Sequence, residues 1–89
     1  MSLSPKPPIA DSAPHEASLT DYDRAHLATY ARLLDAAAEG ASWEEVSRIV
    51  LGIDPRDERS RAKEAYDTHL ARAQWLTAQG YKELLVDRS

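Results

Sequence analysis

The sequence predicts an all-α fold: a small helical domain, a helix-turn-helix variant with an extended turn. Three observations predict it. The 89-residue chain is rich in alanine and leucine, 43% hydrophobic, and has no phenylalanine, a composition that favours helix over strand. Its apolar residues recur at spacings of three and four, the period of one helix face. Helix-start residues also alternate with glycines: Thr20 then Gly40, Ser42 then Gly52, Asp54-Pro55 then Gly80.

The length allows one domain at most. Residues 1–18 carry Pro5, Pro7, Pro8 and Pro14 among serines and alanines, with no apolar period. Such a stretch buries too little surface to offset its ordering entropy, so a disordered Pro-rich N-terminal tail is expected over 1–18. The helix-turn-helix-like domain is expected over 19–89.

Within that domain Thr20 reads as an N-cap, with Asp21 and Asp23 favourable in the first turn. Tyr22, Leu27, Tyr30, Leu33, Leu34 and Ala37 then make one apolar face, up to a stop at Gly40. Ser42 with Glu45 three residues on reads as a capping box. The stripe of this second helix is Trp43, Val46, Ile49 and Val50, and Gly52 ends it. Asp54 to Asp57 reads as a turn inside a long connection, Ile53 to Arg59. A third helix follows from about Glu58 or Ser60 to Gln79. Its main face is Ala62, Ala65, Tyr66, His69, Leu70, Ala73, Leu76 and Thr77. A second stripe on it, Ala71, Trp75 and Ala78, either packs under the C-terminal turn or offers a surface to a partner. Tyr81 and Leu84, in the short segment after Gly80, extend that surface.

Charge bounds the function. Eleven basic against fifteen acidic residues leave a net of −4, which argues against a stand-alone DNA binder, because non-specific affinity comes from neutralising phosphates. In the third helix the basic Arg59, Arg61 and Lys63 alternate with Glu58, Glu64 and Asp67. Arg61 and Glu64 are three apart, and Lys63 and Asp67 four apart, so each pair can neutralise itself. The sequence therefore reads as a recognition-helix surface neutralised at Arg61, Lys63, Glu64 and Asp67. The alternative is a DNA-binding repressor that uses Arg59, Arg61 and Lys63.

Enzymatic chemistry finds no support. There is no cysteine, and His15, His26 and His69 lack the spacing of a metal-binding helix. No phosphate loop or nucleophile elbow is present. No cofactor, no metal, no small-molecule ligand and no membrane partner are expected, and the N-terminus lacks a signal-peptide core. A cytoplasmic location follows as an expectation.

The stretch SWEEVSRIVLG, the extended connection, the helix containing RAKEAYDTHLARAQWL and the ending GYKELL together resemble an extended-turn helix-turn-helix family. Its members regulate integrative and conjugative elements of proteobacteria. The resemblance covers about residues 20–86. Some members are C-terminal domains of activators such as FseA and bind DNA through a basic surface. Others are stand-alone acidic antiactivators of the QseM type, and this chain is similar to those, with Glu64 and Asp67 where DNA-binding members are basic. The resemblance implies an antiactivator that binds the N-terminal domain of an FseA-like transcriptional activator, and also a LuxR-type TraR-like quorum-sensing regulator. It would thereby block excision and transfer of the element. The docking residues expected on that reading are Trp75, Ala71, Ala78, Tyr81 and Leu84.

Overall fold

The computed structural model describes residues 8–80, and all regular structure among them is helical. Helix α1 (Asp21–Ala25) is followed after one residue by α2 (Leu27–Ala38). Helix α3 (Trp43–Val46) runs into a π-helical turn, Ser47–Leu51. Helix α4 (Arg59–Trp75) runs into a second π-helical turn, Leu76–Gly80.

The first helix is thus broken where a continuous one is expected. At His26 the backbone leaves the helical region (φ −115°, ψ 22°). Its ring explains the break: Nδ1 lies 2.8 Å from the Tyr22 carbonyl oxygen and Nε2 lies 3.1 Å from that of Pro8. A side chain bonded into the preceding turn disturbs the helical ladder there. Before the break, Thr20 and Asp23 close a full capping box: the Asp23 amide donates to the Thr20 hydroxyl, and the Thr20 amide donates to the Asp23 carboxylate at 2.9 Å. The box expected at Ser42 is only half present, since Ser42 accepts from the Glu45 amide at 3.2 Å without the reciprocal bond.

The expected stripe of the second helix is corrected as well. Ile49 is 61% exposed, whereas Ser47 and Leu51 are buried. A π turn widens the helical period, so Leu51, five on from Val46, comes round to the core with the half-buried Val50, while Ile49, three on, faces out. Gly52 ends this turn in the left-handed region (φ +76°). Its amide and that of Ile53 both donate to the Ser47 carbonyl, while the Ser47 hydroxyl donates to the Ile53 carbonyl at 2.8 Å. A Cβ at Gly52 would meet nothing within 4 Å, so alanine there should lose only the backbone term, about 1–2 kcal/mol. Urea unfolding of Gly52→Ala checks this, and an unchanged midpoint would show that the turn does not need the left-handed residue.

The connection follows the sequence reading. The Asp54 carboxylate accepts from the Arg56 amide at 2.9 Å. The Asp54 carbonyl accepts from the amides of Asp57 and Glu58, and α4 starts at Arg59. Helix α4 is the spine of the fold, packing against α2, α3 and the first π turn. Ala62, Ala65 and Ala73 are fully buried on it, and their small side chains let Tyr30 and Leu33 of α2 and Val46, Leu51 and Ile53 close in.

The tail expected over 1–18 is also revised where the structure describes it. Residues 8–19 form a strap laid along α1 and α4, with Ala13 2% exposed. Proline and serine give this strap no apolar period, but polar side chains on the helices satisfy its backbone. Tyr22 Oη accepts from the Ala10 amide (3.0 Å), Thr68 Oγ1 accepts from the Ala13 amide (3.1 Å), and Arg72 donates to the Glu16 and Ser18 carbonyls (2.6 and 3.0 Å). Ordering entropy is thereby offset by hydrogen bonds as well as by the apolar burial of Ala13, Ile9 and Leu19.

Candidate nucleic-acid interface

Four cations share the exposed face made by α3 with its π-helical turn, the connection and the first turns of α4. Arg59, the first residue of α4, places its guanidinium 5.0 Å from the centroid of Trp43. Lys63, one turn on, places Nζ 5.2 Å from the same ring. Trp43 in turn leans on Tyr66, with centroids 6.4 Å apart and planes tilted by 46°. The indole is therefore a half-buried platform under two cations. Arg48, Arg56 and Arg59, together with Glu44, Glu45 and Asp54, line an open hollow between the first turn of α3 and the connection. Arg59 and Lys63 line a second one beside Trp43.

Carboxylates accompany these cations. Arg59 lies 3.7 Å from Glu44, Lys63 is 3.1 Å from Asp67, and Arg56 is 3.0 Å from Asp54. The side chains of Arg56 and Arg59 are 83% and 68% exposed, so their heads are open to solvent despite those partners. Ion pairs on a wet surface are screened and weak. A phosphate, to which an arginine presents a matching planar fork, competes with them readily.

The four residues expected to form self-neutralised pairs divide differently. Lys63 and Asp67 do pair. Arg61 does not bond Glu64; it donates from Nε to Asp11 (2.6 Å) and from its terminal nitrogen to Glu58 (2.8 Å). Glu64 accepts from the Ser12 hydroxyl at 2.8 Å. The strap takes the partners that spacing alone assigns to each other. On the expected docking stripe, Trp75 is half-buried with the Arg72 guanidinium 4.0 Å over its ring, while Ala71 and Ala78 are exposed. Tyr81 and Leu84 lie outside the described residues.

Behind this face, a buried ionic hub fixes α4 to α1 and the strap. Arg72 holds Asp23 through Nε (3.1 Å) and a terminal nitrogen (2.7 Å), and Asp23 also accepts from the Tyr30 hydroxyl at 2.7 Å. Burial alone would raise the Asp23 carboxyl. The bonds from Arg72, from the Thr20 amide and hydroxyl, and from Tyr30 prevail and hold it at about 2. Burial, together with the adjacent Asp23 charge, pushes the Tyr30 hydroxyl well above its ordinary value. Beside the hub, His69 donates from Nδ1 to the Ala65 carbonyl (2.7 Å) and meets Tyr22 Oη at 2.6 Å through Nε2. Burial lowers its pKa, so the neutral ring accepts from the tyrosine. Asp23 and Arg72 stand 49 positions apart, so no local spacing links them, and Asp23 reads from the sequence only as a first-turn acid.

Among the described residues no group of histidine, cysteine, aspartate and glutamate could hold a metal ion. No helix among them is long and apolar enough to cross a membrane.

A protein-family model described as "T6SS, Transcription factor, DNA binding domain" (RovC_DNA-bd) matches residues 5–86. No curated protein matches the chain. The match corrects two expectations. A family defined as a DNA-binding domain contradicts the reading as a protein-binding antiactivator and the exclusion of DNA as a partner. The expectation weighed the net charge and the neutralising pairs of the third helix too heavily. A net of −4 describes the whole chain, whereas phosphate contact depends on which cations reach one face, and surface carboxylates beside them are weak competitors.

Proposed function

This chain belongs to the RovC_DNA-bd family of transcription-factor DNA-binding domains, and we propose that it is a DNA-binding transcription regulator. In this reading the start of α4 approaches the duplex, as the recognition helix of a helix-turn-helix does. Arg48, Arg56 and Arg59 contact phosphates, and Lys63 works beside Asp67 at the base edges. The carrying observation is the convergence of three exposed elements on one face, with Trp43 holding Arg59 and Lys63 in place. An aspartate among the bases is compatible with reading, since a carboxylate accepts from cytosine N4. The reading assigns a binding role and no catalytic step, and places the protein where the chromosome is, in the bacterial cytoplasm.

Fluorescence anisotropy with a labelled duplex tests it. The first duplexes to try are promoters of type VI secretion genes, the system that the family description names. Binding should weaken with salt, with a log–log slope near −2.7 for about three neutralised phosphates. Arg56→Ala and Arg59→Ala should each flatten the slope by about one. No binding to any duplex at 20 mM salt overturns the proposal.

A further inference from the structure

We propose that the strap of residues 8–19 is an autoinhibitory clasp that withholds Arg61 from DNA; this rests on the DNA-binding reading above. Arg61 is the third residue of α4, at the end proposed to face the duplex. It is also a cation that a strap carboxylate engages. Asp11 Oδ1 sits 2.6 Å from its Nε, and Glu58 takes a terminal nitrogen at 2.8 Å. Next along the strap, Ser12 bonds Glu64, and the Ala13 amide bonds Thr68. Asp11, Ser12 and Ala13 thus follow one flank of α4 from Arg61 to Thr68, and Arg72 takes the strap's carbonyls at the far end.

The strap's contacts with Arg72 and with Arg61 are held very differently. At the Arg72 end the bonds converge on a buried pair, with side chains 5% and 0% exposed. At Asp11 the ion pair is open, with side chains 40% and 69% exposed, and an exposed pair exchanges readily with a competing anion. The clasp therefore opens locally, at the Asp11–Arg61 pair, between the Ala10 bond to Tyr22 on one side and the Arg72 root on the other, both of which stay in place. Opening releases Arg61 and removes the Asp11 charge from the path of a phosphate. Both changes favour DNA.

Two readouts on Asp11→Asn separate the clasp from the reading beneath it. The first uses no DNA: the Arg61 Nε–H resonance, located by its loss in Arg61→Gln, should shift and exchange faster with water in Asp11→Asn. An unmoved resonance overturns the clasp. The second is anisotropy with the duplex. Asp11→Asn should bind about three- to tenfold tighter at 50 mM salt, with a slope steeper by about one phosphate. In an Arg61→Gln background the same change should give no gain in slope. An equal gain in that background overturns the clasp, because it would report only the lost negative charge. A moved resonance with no DNA binding by either protein overturns the DNA reading and the regulation built on it, and leaves the Asp11–Arg61 bond standing.

Discussion

Asparagine at position 23 is expected to cost about 3–5 kcal/mol of folding free energy, the usual penalty for stripping one member from a buried ion pair. A small domain holds about 5–15 kcal/mol in all, so Asp23→Asn should be largely unfolded well below the wild-type midpoint in urea. The reason lies in the accounting of donors. Asp23 collects bonds from Arg72, Tyr30 and Thr20, and without its charge the arginine stays buried with only two carbonyls. Removing both charges together, Asp23→Leu with Arg72→Met, should cost less than Asp23→Asn alone, because no uncompensated ion is left. A single variant within 1 kcal/mol of wild type would show that the hub is not what joins α4 to α1. Acid should attack in two stages. His69 has a lowered pKa in the fold, so the unfolded chain binds its proton first, and stability falls as pH drops below about 6.5. Asp23 is held at about 2, so its contribution is whole above about pH 4 and is lost as pH falls from there through about 2. The unfolding midpoint measured from pH 7 to pH 2 checks both signs.

How much of this was legible depends on how far apart the cooperating residues stand. Thr20, Gly52 and the Asp54 turn act over a few positions, and their cap, stop and turn chemistry reads directly from the sequence. The main face of α4 is likewise local: Ala62, Ala65, His69, Ala73 and Leu76 keep helical spacing and are buried. The π turn at Ser47–Leu51 was not legible, because SRIVL fits a 3.6-residue period as well as a wider one. The strap is not legible for a related reason. Its binding surface is supplied by Tyr22, Thr68 and Arg72, far along the chain, and composition carries no trace of them. The candidate interface suffered most. Spacing can say that Arg61 and Glu64 are neighbours on α4, but not that Asp11 and Ser12 arrive from another segment to claim them, nor that an indole supports Arg59 and Lys63.

That indole carries the second large effect. Trp43→Ala should lose about 2 kcal/mol of stability, below the 3–5 kcal/mol of a fully buried ring because Trp43 is half exposed. It should also weaken DNA binding about tenfold, since two cation–π contacts of about 0.5–1 kcal/mol each hold Arg59 and Lys63 in place. The charges themselves remain, so the salt slope should stay as in wild type. Arg59→Ala makes the opposite split, flattening the slope by about one because a counterion-releasing contact is gone. Trp43→Phe keeps an aromatic face beside Tyr66 and should restore most of the stability and part of the affinity. The pair of slopes thus separates a residue that positions cations from one that neutralises phosphate. A Trp43→Ala protein that is folded and binds with unchanged affinity would show that the stack is incidental, and would leave Arg48 and Arg56 to carry the face without it.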